Sequence, residues 1–162
     1  MSDFFNKISE KLKSQNLTII DSDKNRPWGG FCVIDEIDYQ NFSELYFSNL
    51  SIDKLKFLGK LSLKILVIAP NKKLSWQFHH RRSEIWKVAS GEIKVVTSKD
   101  DEERNEVLLK EGDEIYISRG ERHRIIGSDD YAVVAEIWIH TNKDNPSDED
   151  DIVRVQDDFN RK

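Results

Sequence analysis

The sequence predicts an all-β domain, a sandwich or barrel, fronted by one short helix. Three observations carry this. From Phe31 onward, short runs rich in β-branched and aromatic residues recur at nearly regular intervals, the texture of packed sheets or a barrel. Turn signals such as "PNKK", "SGE", "EGD" and "SRGE" separate them, and such residues punctuate hairpins. The 162 residues, 38% hydrophobic and 34% charged, suit one soluble domain with its own core.

The elements follow in order. Phe4, Phe5, Ile8 and Leu12 recur at helical spacing among polar residues, so residues 3–14 read as an amphipathic helix with Ser2 or Asp3 as its cap. "DSDKNRPWGG" then breaks the pattern with a proline and two glycines. Strands are expected at "GFCVIDEI", "KLSLKILVIA", "LSWQFH", "SEIWKVA", "EIKVVTS", "NEVLLK", "DEIYIS", "RHRIIG" and "YAVVAEIWIH". Residues 40–58 interrupt them and read as an inserted loop with one helical turn. From Thr141 the tail is acidic around a short apolar island, Ile152–Val155. The chain divides into an N-terminal helix and lead-in (1–25), a barrel (26–140) and an acidic tail (141–162) packing on it.

Composition narrows the function. A net charge of −5 argues against a nucleic-acid or membrane-surface binder, which carries a basic excess; a local basic pocket for a small anion remains open. The single cysteine, Cys32, excludes an intrachain disulfide and fits a reducing compartment. Set in "GFCVID", it reads as a buried thiol rather than a nucleophile. The first residues lack an apolar core of signal-peptide length, and the longest apolar run, "ILVIAP", is too short to span a bilayer. A cytoplasmic location is expected.

The chemistry gathers in "LSWQFHHRRSEIWKVASG", between Leu74 and Gly91, and in "GDEIYISRGERHRII" some forty residues on. Alternate side chains of a strand share a face, so Gln77 and His79 point the same way. A hairpin turn at residues 80–83 can return Glu84 opposite them, and His123 heads a further strand. Two imidazoles, a carboxylate and an amide oxygen suit Zn²⁺ or a harder divalent ion, with room left for water or substrate.

The spacing resembles the two motifs of the cupin family. In the first, Asn71 stands at the leading glycine, Gln77 and His79 at H-x-H, then Glu84 and Gly91; in the second, Gly112, Asp113, Gly120 and His123 match, with Ser118 for the usual proline. Within the cupins the chain is similar to the cupin domain of type II mannose-6-phosphate isomerases, often fused to mannose-1-phosphate guanylyltransferase. That domain reads P-W-G, then Q-x-H-H-H-R-x-E-H-W, G-x-x-H-R and E-D-D-I-V-R-x-x-D-x-[YF]-G-R. The counterparts here are "RPWGGF", "QFHHRRSEIW", "GERHR" and "EDDIVRVQDDFNR". Arg81 and Ile85 replace two histidines of the pattern, and Asn160 its last glycine. Stand-alone forms are also called phosphoheptose isomerases. The Gly-rich loop that a guanylyltransferase needs is not among these residues.

The resemblance implies a double-stranded β-helix, a jelly-roll barrel, with Gln77, His79, Glu84 and His123 holding one divalent metal: zinc first, with cobalt, manganese or nickel as alternatives. It implies aldose–ketose isomerisation of a sugar phosphate, of the mannose 6-phosphate/fructose 6-phosphate kind, in nucleotide-sugar or polysaccharide synthesis. It also implies a homodimer. A base must move the C2 proton, and His80 or Glu136 is available. Arginine's planar fork suits phosphate; by resemblance Arg82 leads, in catalysis and in substrate binding, followed by Arg124, with Lys87, Arg81 and Arg161 behind. Glu136 shares a strand face with Trp138 and His140 and is either functional or ion-paired. Trp28, Trp76, Trp86 and Trp138 read as core or pocket wall, and His140 as surface. The competing expectation is a non-catalytic cupin that binds a sugar or sugar nucleotide, alone or with a separate guanylyltransferase.

Overall fold

A computed structural model describes residues 2–56 and 60–157. Helix α1 (Ser2–Ser14) buries Phe5 and Leu12, and Phe4 stacks on Tyr131 with ring centroids 4.6 Å apart. The strands among the described residues are β1 (Ile19–Arg26), β2 (Gly29–Ile34), β3 (Ser62–Ile68), β4 (Trp76–His79), β5 (Arg82–Ser90) and β6 (Glu92–Ser98). They continue as β7 (Val107–Lys110), β8 (Glu114–Ile117), β9 (Arg122–Gly127), β10 (Ala132–His140) and β11 (Ile152–Gln156). One antiparallel sheet runs β1-β2-β3-β10-β5-β8 and the other β11-β4-β9-β6-β7. Face to face they form the double-stranded β-helix that the motifs imply, a jelly-roll barrel.

The middle of the first sheet is buried on both sides, which is why β3 and β10 read as continuous apolar runs. Alternation assigns each residue a side. Leu63, Ile65 and Val67 of β3, with Val133, Ala135 and Ile137 of β10, pack outward with Phe5, Leu12, Phe42 and Phe47. Leu66, Ile68, Val134, Trp86 and Val88 face the other way, into the barrel, with Val95 and Ile125 of the second sheet. Cys32 lies in the outer layer, fully buried, and burial raises its thiol pKa.

Several expectations change. Residues 40–58 are not a loop with one turn: α2 (Tyr39–Tyr46) and α3 (Ile52–Leu55) cover the outer face, with Phe42 completely buried. Positions 57 and 58 lie outside the described residues. β1 falls within the lead-in; as an edge strand paired only with β2 it needs no apolar face, so "IIDSDKNR" carries little β pattern. The tail also contributes a strand: β11 pairs with β4, placing Ile152 opposite His79 and Arg154 opposite Gln77. His140 is not surface. It is 2% exposed, and its Nδ1 accepts from the Ser147 N–H.

The "PWGG" stretch is the β1–β2 turn. Gly29 has φ +144°, and a Cβ there would lie 1.9 Å from the Val67 carbonyl oxygen, so only glycine lets β2 close on β3. No helix among the described residues is long and apolar enough to cross a membrane.

Candidate metal centre

Gln77 and His79 share the inner face of β4, and Gln77 is paired in register with His123 of β9. Glu84 arrives differently from the expected hairpin. β4 and β5 belong to different sheets, so residues 80–81 turn a barrel corner and Glu84 reaches the histidines from the facing sheet. His79, Glu84 and His123 are each no more than 2% exposed, and one ligand atom from each lies within 4.8 Å of the others.

The two imidazoles are fixed from behind. The Nδ1–H of His79 donates to the Asp151 carbonyl at 3.2 Å, and that of His123 to the Glu121 carbonyl at 2.9 Å. Both Nε2 atoms therefore turn inward, 3.2 Å apart. His79 Nε2 is 3.1 Å from Glu84 Oε1, and His123 Nε2 is 3.5 Å from Glu84 Oε2. Burial pushes the His123 pKa down to about 4, against the pull of Glu84, so at neutral pH it presents a lone pair. Burial opposes ionisation of Glu84, yet its neighbours His79 and Arg82 hold its carboxyl well below the usual range.

These atoms fit a divalent cation. Glu84 Oε2 is buried with no hydrogen-bond partner, a costly state unless something positive joins it. Zinc–nitrogen bonds of about 2.0–2.1 Å place neighbouring ligand nitrogens roughly 3 Å apart, the spacing of the two Nε2 atoms. Gln77 lines a cavity together with Glu84, its Oε1 accepting from Ser75 Oγ at 2.5 Å.

Arg82 is buried beside the cluster. Its Nε donates to Glu84 Oε1 at 2.7 Å and its Nη2 to His79 Nε2 at 3.1 Å, while Nη1 donates to Ser147 Oγ and the Asp148 carbonyl. The guanidinium lies 3.5 Å over the Trp138 ring. So many fixed bonds make it an anchor for the ligands and the tail. Glu136 lines the cavity and accepts from the Trp86 indole N–H at 2.9 Å. Burial, with the nearby Glu84 charge, raises its pKa to about 8 although Lys64 and Arg82 oppose the shift.

The remaining expected residues lie elsewhere, Lys87 and Arg124 because of strand parity. His80 neighbours His79 and so faces outward; it is exposed, its ring edge-on to Phe78. Lys87 lies on the opposite face of β5 from Glu84 and Trp86, 3.6 Å from Glu114. Arg124 neighbours His123, and its buried guanidinium binds Glu103 and the Leu74 carbonyl. None of the three lines the cavity. Arg81 binds the tail at Asp148 and Asn145, and Arg161 lies outside the described residues. Trp28, Trp86 and Trp138 are cavity wall, whereas Trp76 is core, its indole N–H held by the Asp101 carbonyl.

The cations that do line the cavity are Arg26, Lys64 and Arg154, besides Arg82. A lone lysine inside "LSLKILVIA" was the available signal for Lys64. The tail matters too: Asp151 accepts from the His80 and Arg81 N–H groups and from Ser147 Oγ, so the segment that fixes His79 is itself pinned.

Residues 37–157 match the family described as "Mannose-6-phosphate isomerase C-terminal". The chain belongs to this family. Among curated relatives, the alginate biosynthesis protein AlgA of Pseudomonas aeruginosa is 33% identical over 122 residues, 75% of this chain and 24% of that protein. A mannose-1-phosphate guanylyltransferase of Salmonella montevideo is 29% identical over 158 residues, 96% of this chain and 27% of its own length. The chain thus spans about a quarter of the curated relatives it matches. Among solved structures, hazelnut (Corylus avellana) vicilin superposes with a TM-score of 0.56 at 18% identity, over 79% of this chain and 34% of that one; this likeness concerns the fold alone. The family's jelly-roll barrel is what the two sheets form.

Proposed function

We propose that the protein is a metal-dependent sugar-phosphate isomerase, of the kind that interconverts an aldose phosphate and its ketose, in the supply of sugars for polysaccharide synthesis. The observation that carries this reading is what meets around one cavity: Gln77 and Glu84 in its wall, with His79 and His123 clustered on Glu84, the protonatable carboxyl of Glu136, and basic residues at the rim. Membership of the family supports it.

The four ligands would hold a divalent ion, zinc first, which supplies Lewis acidity toward a carbonyl oxygen. The chain's own residues supply the rest. Glu136, raised toward neutrality by burial, can accept a carbon-bound proton and return it to the neighbouring carbon, because its proton affinity sits near the working pH. The Trp86 N–H holds one of its oxygens and leaves the other to act. Trp28, Trp86 and Trp138 wall off water, which protects an exchanging proton from loss. Arg82 keeps Glu84 ionised and aligned.

Purified protein loaded with Zn²⁺, Co²⁺ or Mn²⁺ should interconvert mannose 6-phosphate and fructose 6-phosphate. Metal-bound protein that turns over no hexose or heptose phosphate would reject the reading.

A further inference from the structure

We propose that Lys64 receives the phosphate monoester of the substrate and that Glu149 occupies that place until the substrate arrives. This rests on the sugar-phosphate reading above and gives its phosphoryl group a location.

Lys64 is the only charged residue of β3. Its side chain is 8% exposed, and its ammonium lies 3.8 Å from the centroid of the Trp138 ring and 4.9 Å from that of Phe31. A strand packed between two apolar layers gains nothing in stability from such a residue, since an apolar side chain fills the space without desolvating a charge. Its position is informative. In register, Lys64 of β3 faces Glu136 of β10, which faces Trp86 of β5; one rung along, Trp138 faces Glu84. Metal ligand, proton carrier and ammonium therefore sit in order across three neighbouring strands. Two strand spacings amount to roughly 10 Å, the scale of a six-carbon chain with a terminal phosphate.

Glu149 holds the other end. It lies in the short 3-10 turn Glu149–Asp151, lines the cavity, and pairs with Lys64 while remaining 54% exposed. The two partners are unequal. A half-exposed carboxylate regains water cheaply when released, whereas a buried ammonium needs an anion. A phosphate dianion offers more charge and more acceptor oxygens than a carboxylate. With Glu149 in place the cavity holds only about 70 Å³, room for a few waters and not for a sugar phosphate, so the rim must yield on entry. The tail's other anchors, Ser147 on Arg82 and Asp151 on the His80 and Arg81 N–H groups, do not involve Glu149. Its side chain can leave while β11 stays paired.

The test is calorimetric binding of inorganic phosphate, mannose 6-phosphate and mannose to the full chain, at fixed ionic strength, for wild type, Glu149→Gln and Lys64→Met. Glu149→Gln should bind both phosphate ligands more tightly, and Lys64→Met should weaken both by about tenfold or more, the worth of a charged hydrogen bond. Mannose should distinguish none of the proteins. If Lys64→Met does not fold, Glu149→Gln decides alone. Phosphate affinity unchanged or weakened in Glu149→Gln overturns the proposal, as does an equal effect on mannose. Phosphate binding that follows this pattern without isomerisation would leave the subsite standing and reject the isomerase reading. Isomerisation with binding indifferent to both substitutions would do the reverse.

Discussion

Replacing Glu136 by glutamine should remove a pH dependence that the wild-type protein carries in its stability. Burial, aided by Glu84, lifts this carboxyl from 4.5 to about 8. An unfolded chain releases the same proton near 4.5. Between those values the folded protein keeps a proton that the unfolded chain has lost, so this contribution favours folding most below pH 4.5. It declines as pH rises and levels off above 8, where the folded carboxyl also ionises. At roughly 1.4 kcal/mol per pH unit, the window is worth on the order of 5 kcal/mol at most, because side-chain movement and water entry relieve part of it. Glutamine keeps the volume and an acceptor for the Trp86 N–H but never ionises. Urea unfolding of chelator-treated protein between pH 5 and pH 9 should therefore show wild type losing a few kcal/mol relative to Glu136→Gln. Parallel profiles would mean that the carboxyl is not held protonated, and its part as a proton carrier near neutrality would fail.

Three other substitutions probe the neighbouring elements. His80→Ala should leave metal affinity and sugar-phosphate turnover within about twofold, because that imidazole faces outward against Phe78; a tenfold loss in a turnover assay would contradict its placement. Asp151→Asn should cost about 1–3 kcal/mol in urea unfolding, since the carboxylate accepts from two backbone N–H groups and Ser147. It should also weaken metal binding in a chelator competition, because the same residue's carbonyl orients His79. Gly29→Ala should cost more than about 2 kcal/mol, read from the denaturation midpoint, because the added Cβ meets the Val67 carbonyl.

Much of this was legible from residues alone. The apolar runs of β3, β5, β6, β9 and β10 mark two layers because half-buried or buried strands must carry Val, Ile and aromatics. The cluster of His79, Glu84 and His123 was readable because Gln77 and His79 alternate on one strand and because the spacings through the corner at residues 80–81 and the turn at Gly120 repeat a known pattern. β1 and β11 were not, since an edge strand and a strand laid late over the barrel owe their pairing to partners rather than to their own pattern. The basic residues show a different failure. Lys87 and His80 stand out by residue type and Arg124 by resemblance, whereas counting from Glu84, His79 and His123 turns each of them away from the cavity. The same count from Leu66 and Ile68 turns Lys64 inward. The tail's grip on Arg82 and His79 joins residues some seventy positions apart, a contact that no local spacing announces.

The central claim is that Gln77, His79, Glu84 and His123 close around one divalent cation. Its most direct measurement is elemental analysis of the full chain after equilibration with Zn²⁺, Co²⁺ or Mn²⁺ and removal of loosely held ion, compared with Glu84→Gln and His123→Ala. The account predicts one equivalent of metal on wild type and loss of it in both variants, with wild type alone gaining thermal stability from the metal. Wild type that retains no metal, or variants that retain a full equivalent, would contradict it.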